Sequence, residues 1–283
     1  MKRFLMGLFC ALLSAAALAA GPNEVRKRVQ ASMLLTGKIV VAPDGSVRSY
    51  SIDKAEKLPA PVTSLIANNV PKWKSEPTLL DGKPVAAEAV MSFRVVAKPV
   101  GDDNFSISIS GAEFGHGKPG EAISYKDRAR PVYPPNAVHA RISGTVYLVL
   151  RVGRQGQVMD AVAEQVNMTV LGSDDELERW RQVLAKSALR AARQWTFNPP
   201  TLGKDVDAKY WVARVPVNFN LRIAGMPRSE SYGHWQEYVP GPREPVPWFD
   251  NKQLASTSAD ALPDGDIQQV DQGLRLTSPL NGT

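Results

Sequence analysis

The chain has 283 residues, a formal charge of +6, 22% charged residues and a single cysteine, Cys10. That length allows two small domains with extensions. A lone thiol excludes disulfides and thiolate metal centres, and so modest a charge, with no dense Lys/Arg stripe, argues against a nucleic-acid footprint.

Lys2 and Arg3 precede an apolar run from Phe4 to Ala20 that ends in small residues. This is the layout of a secretory signal peptide over residues 1–20, cleaved near Ala20. An uncleaved membrane anchor is the alternative, but polar Gly21-Pro22-Asn23-Glu24 follows too early for a comfortable span. Cleavage removes Cys10 together with Lys2 and Arg3, lowering the charge from +6 to +4. The expected product is an exported periplasmic protein with no further membrane span.

Residues 21–98 are expected to form a first module. Val29 to Ala42 is predicted as one strand bent at Gly37, and Pro43-Asp44-Gly45-Ser46 as a hairpin turn, because Asp-Gly tolerates positive φ. Val47 to Ile52 returns the chain. Leu58, Val62, Leu65 and Ile66 give one apolar helix face over 58–70, with Pro59 and Pro61 at its start. Trp73, a turn at Asp81-Gly82-Lys83 and a strand from Val85 to Val96 complete a helix on an antiparallel sheet. Residues 99–122 read as a linker, with Phe105-Ser106-Ile107-Ser108-Ile109-Ser110 alternating as a possible extra strand. His116 falls in its glycine-rich part and reads as an exposed loop histidine.

The same order of signals returns over 123–224. Gly144 to Val152 alternates, Gly153-Arg154-Gln155-Gly156 turns, and Val158 to Val166 returns. Glu176 to Gln194 is the clearest helix, with Leu177, Trp180, Val183, Leu184, Ala188, Ala191 and Ala192 on one side. Asp174-Asp175 precede it, where capping and the helix dipole account for them. Trp195, Phe197 and a last strand from Tyr210 to Leu221 follow. Tyr147, Trp211 and Phe219 read as core. The fold class expected is α+β: two related modules, each a helix on an antiparallel sheet of about three strands.

This second unit resembles the TonB C-terminal domain family. The matching pieces are Tyr133-Pro134, Ala137, Gly144-Thr145-Val146, Gly153 through Val158, the helix to Trp195, Phe197-Asn198-Pro199 and Val215-Pro216-Val217-Asn218-Phe219. Gly37, Asp44-Gly45, Trp73, Pro77 and Asp81-Gly82-Lys83 make the first unit a divergent copy. The resemblance implies a compact periplasmic domain. The family's best-known member adds a short segment of an outer-membrane transporter to its sheet edge, driven through an uncleaved anchor and a long proline-rich spacer. This chain departs from that pattern in its cleavable start and in having no long spacer before the first unit.

The function expected is therefore non-enzymatic protein binding or scaffolding in the periplasm, by pairing an extended segment with the last strand. Arg214, Asn218 and Asn220 interrupt that otherwise apolar strand and are the candidate partner-binding residues. Edge-paired homodimerisation, or the protein's own tail, would use the same edge. An anchored energy transducer is the alternative function if the start is not cleaved. Catalysis finds no support: His116, His139 and His234 lie in unrelated contexts, with no nucleophile elbow or metal motif around them. No cofactor or metal is expected. Residues 225–283, rich in Pro, Gly, Ser, Asp and Gln, read as a tail that either docks elsewhere or folds back, with disorder expected beyond Phe249.

Overall fold

A computed structural model describes residues 27–101, 104–115, 119–221, 232–251, 254, 259–270 and 272–281. The expected signal peptide over 1–20 and His116 lie outside the described residues.

The first sheet is built on β1 (Gln30–Val41), which pairs antiparallel with β2 (Val47–Ile52) on one side and β5 (Ala87–Gly101) on the other. Between β2 and β5 the chain forms helix α1 (Ala60–Asn69) and a small hairpin of β3 (Thr78–Leu80) and β4 (Lys83–Val85). Met33, Leu35, Ile39 and Val41 alternate along β1 and bury one face beneath Val62 and Ile66 of α1. Trp73 closes this core, with its ring edge-on to Phe93 and Phe114 at 6.3 and 6.1 Å. Gly37 is required where β1 and β2 touch, since a Cβ there would stand 2.1 Å from the Ser51 carbonyl oxygen.

The expected extra strand is real and longer than its alternating signal. It is β6 (Asn104–Phe114), which pairs with β5 along its length and bulges near Arg94. The stretch assigned to a linker thus completes the first sheet, and β5 runs on to Gly101.

The second sheet repeats the core order. β8 (Gly144–Gly153) is central, with β9 (Val158–Met168) on one side and β11 (Tyr210–Phe219) on the other. A short helix α2 (Pro135–His139) precedes it, and β7 (Ser124–Asp127) pairs with β10 (Thr196–Asn198). Helix α3 (Asp174–Ala192) begins at Ser173, whose Oγ accepts from the Glu176 N–H, and carries three acids in its first turn. Its apolar stripe covers Val146, Leu148, Leu150 and Val152, together with Ala213, Val215 and Val217 of β11.

The two sheets agree even in their turns. Gly45 and Gly156 sit in the first hairpin of each at φ 79° and 80°. Each accepts through its carbonyl from the amide two residues past a buried tryptophan: Ser75 N to Gly45 O and Phe197 N to Gly156 O, both at 2.8 Å. The architecture is α+β with several antiparallel sheets. It is not two equal three-stranded modules, because among the described residues the first sheet has five strands and the second four.

The additional strands come partly from the tail. β12 (Gln236–Tyr238) pairs with the start of β1, and β13 (Gln268–Gln269) pairs with β11. Between them Val246 and Leu254 are buried against Val149 and Val212, with Trp248, Phe249 and Val270 packed around them. β8 and β11 are therefore covered on both faces, by α3 on one and by the tail on the other. The expected disorder beyond Phe249 is not what the described residues show: Leu254, Ala261, Leu262, Gln268 and Gln269 are all buried. A 3-10 turn at Ala259–Ala261 wedges between the sheets, where the Ala261 carbonyl accepts from Ser92 Oγ at 2.7 Å.

Candidate functional site

The candidate partner-binding residues lie on β11, whose inner edge pairs with β8 from Tyr210 to Phe219. Its outer edge faces residues 264–270. Asp264 Oδ1 accepts from the Asn218 N–H at 3.0 Å, and the Gly265 N–H donates to the Pro216 carbonyl at 3.3 Å. Gln268 and Gln269 pair with Arg214 and Ala213, and the Val270 N–H reaches the Val212 carbonyl at 2.8 Å. The tail's Gly265, at φ 81°, allows the turn into this edge, and its carbonyl accepts from Arg128 Nη1 at 2.8 Å. Gln269 Oε1 is in turn held by the Ile123 N–H at 3.0 Å.

The structure places Arg214 inside the protein. It is 1% exposed, and its guanidinium forms a two-pronged pair with Glu164: Nε to Oε2 at 3.0 Å and Nη2 to Oε1 at 2.7 Å. Nη2 also donates to the Leu254 carbonyl at 2.7 Å. Arg214 lies on the sheet face opposite α3. In a two-layer unit that face is wet, which is why the polar residue suggested a contact with a partner. The tail makes a third layer here, so the arginine meets a buried carboxylate instead. Asn218 and Asn220 are exposed, Asn220 just beyond the end of β11. Tyr147, Trp211 and Phe219 are buried as expected.

The other edge of the second sheet is also closed by the tail. The Met168 and Val239 amides exchange hydrogen bonds at 3.0 and 2.7 Å, and the Glu244 N–H donates to the Glu164 carbonyl at 2.7 Å. Arg243 brings Nε to within 3.3 Å of Glu164 Oε1. Glu164 is therefore shared by a strand arginine and a tail arginine.

Two phenols mark how dry the surroundings are. Burial pushes the Tyr147 hydroxyl up to about 12, with Arg94 opposing the shift, and burial likewise pushes Tyr125 to about 12 against the pull of Arg128. A cavity of about 690 Å³ lies between β6 and the tail, with Ser110 and Glu113 on one wall and Gln268, Gln272 and Arg275 on the other. Among the described residues no histidine lines it. Among the described residues no group of three or more His, Cys, Asp or Glu is placed to hold a metal, and no helix is long and apolar enough to cross a membrane.

Glu164, Asp264, Gly265 and Gln269 were not singled out from the sequence. Asp264-Gly265 is a turn dipeptide, and Ile267 and Val270 bracket two glutamines, so a turn and short strand were present as a weak signal. Glu164 carried none, because its partner lies 50 residues away.

A helix lying on one face of an antiparallel sheet, with the last strand's outer edge on the far side from the hairpin, defines an α+β domain whose sheet ends in an edge strand. Residues 129–221 match the family described as Gram-negative bacterial TonB protein C-terminal, so the chain carries a TonB C-terminal-like domain over that stretch. Two relatives, each named Protein TonB and from two strains of Xanthomonas campestris pv. campestris, are 33% identical over 99 residues. The shared stretch covers 35% of this chain and spans 38% of the relatives' own length. No solved structure matches the chain significantly.

Proposed function

We propose that this is a non-enzymatic periplasmic interaction protein whose TonB C-terminal-like domain takes up an extended segment of a protein partner along the outer edge of β11. The observation that carries this reading is the imbalance between the two edges of that strand. The inner edge pairs over its full length, whereas the outer one is held by a two-residue strand and a few single hydrogen bonds from the tail. Binding is then an exchange of strands. Residues 264–270 leave the edge and a partner segment takes their backbone hydrogen bonds, with Asn218 and Asn220 as the exposed side chains beside it. The tail is tethered, so its high effective concentration sets a threshold that a partner must exceed.

A photo-crosslinker at Asn220 tests this in periplasm. Val270→Pro, which removes a donor to Val212, is expected to raise capture. Asn218→Pro, which removes the outward N–H of β11, is expected to abolish it with folding retained. Capture indifferent to both changes contradicts the proposal. An anchored energy transducer is the competing reading. A mature mass that starts near Gly21 supports export, and an intact membrane-bound amino terminus supports the transducer.

A further inference from the structure

A groove of about 360 Å³ runs between the C-terminal half of α3 and the extended lead-in before α2, away from the residues that form the β11 edge. Arg130 enters it from the lead-in, and Lys186 and Arg190 from the helix. No acid lines it. All three cations are exposed, and none makes an ion pair or hydrogen bond among the described residues. Near the start of the same helix Arg181 lies 3.8 Å from Glu178 and Arg28 pairs with Asp174, while Arg179 stands without a partner among the described residues.

Structural needs explain this only in part. Arg190 in the last turn complements the helix dipole. Lys186 is one turn earlier, and a like-charged pair four residues apart is unfavourable for the isolated helix. Arg130 is on another element altogether. Between the charges the groove is apolar. Val132 is 75% exposed, and Val183 lies on the same helix face as Lys186 and Arg190 at i, i+3 and i+7. Its walls are fixed in advance: Pro131, Pro134 and Pro135 stiffen the lead-in, Ser187 Oγ donates to the Val132 carbonyl, and Trp195 Nε1 donates to the Ala129 carbonyl at 2.7 Å.

We infer that this groove docks an acidic, extended segment of a protein partner. Carboxylates of that segment lie on Arg130, Lys186 and Arg190, and an aliphatic side chain lies between Val132 and Val183. The concave, apolar-floored shape suits a peptide carrying both side-chain types, where a membrane surface would favour a flat or convex basic face. This site is independent of strand exchange at β11.

The test titrates the full chain with a fluorescein-labelled ten-residue peptide alternating glutamate and valine. Saturable binding is expected to weaken at least tenfold in R130Q/K186Q/R190Q and severalfold in Val132→Ser, and to be unchanged in Arg48→Gln, an exposed cation on β2. A glutamine-for-glutamate peptide is expected not to bind. All these side chains are exposed, so circular dichroism and Tm should stay at wild type. Binding that survives the triple substitution, falls equally in Arg48→Gln, or is absent altogether overturns the inference. So does groove-dependent binding to phosphatidylglycerol vesicles without binding of the peptide, which would assign the site to a lipid surface.

Discussion

Arg214 of β11 and Glu164 of β9 form a two-pronged ion pair over β8 on one face of the second sheet, with both side chains almost wholly out of solvent. The pair is where strand, sheet and tail meet, because Arg214 also binds the Leu254 carbonyl and Glu164 also receives Arg243. Removing one partner leaves a buried charge uncompensated. Glu164→Gln or Arg214→Met alone is expected to cost about 3–5 kcal/mol. Replacing both, as Glu164→Leu with Arg214→Met, is expected to cost less than either single change, since an apolar pair of similar volume needs no compensation. Urea denaturation of the three variants checks this. A double variant as unstable as the sum of the singles contradicts it.

The hairpin glycines Gly45 and Gly156 make the same demand on the two sheets. A Cβ at either would stand about 2 Å from a carbonyl oxygen, of Ser75 in one and Phe197 in the other, with φ near +80°. Gly45→Ala and Gly156→Ala are each expected to destabilise by at least about 2 kcal/mol, from positive-φ strain and loss of the turn-to-strand bond. Thermal melts of both variants are the check. A neutral effect at one site alone would show that the two turns do not share their role.

Alkaline pH should loosen the fold in a defined window. Tyr147 and Tyr125 ionise near 10.0 when exposed and near 12 in the folded chain, and burial raises Tyr238 as well. Between those values the folded state holds protons that the unfolded state has lost, so their stabilising contribution is complete below pH 10 and declines as pH rises towards 12. Each tyrosine contributes up to about 1.4 kcal/mol per pH unit to the decline. In urea titrations at pH 9 and 11.5, Tyr147→Phe is expected to lose less stability than the wild type over that interval. An equal loss in both contradicts the assignment of Tyr147.

Much of the architecture was legible because local signals and burial agree. Gly45 and Gly156 were expected as turns, α3 shows its apolar face within two residues of the expected ends, and both tryptophans close cores. The tail was not legible, for a physical reason. Among the described residues Val239, Val246, Leu254 and the Ala261-Leu262 pair are buried seven or eight residues apart, with mostly Pro, Gly and polar residues and the part-exposed Trp248 and Phe249 between them. Such sparse spacing lacks the intermediate i+3/i+4 or i+2 apolar positions that mark a helix or a strand, so it reads as disorder. Each side chain instead inserts into a surface that the two sheets have already made. Arg214 was misplaced for the same reason, since the layer that buries it comes from the tail. Asn218 was placed on an accessible edge, but that its amide is held by Asp264 could not be seen across 46 residues.

Strand exchange requires that the outer edge of β11, held by residues 264–270, can be released to another segment. Amide hydrogen exchange at Asn218 reads that edge directly. In Asp264→Ala/Val270→Pro, exchange at Asn218 is expected to speed up at least tenfold while amides of β8 stay protected. A synthetic peptide of residues 262–273 added in trans is expected to restore the protection. Unchanged exchange at Asn218 in the variant, or no re-protection by saturating peptide, would contradict strand acceptance at β11.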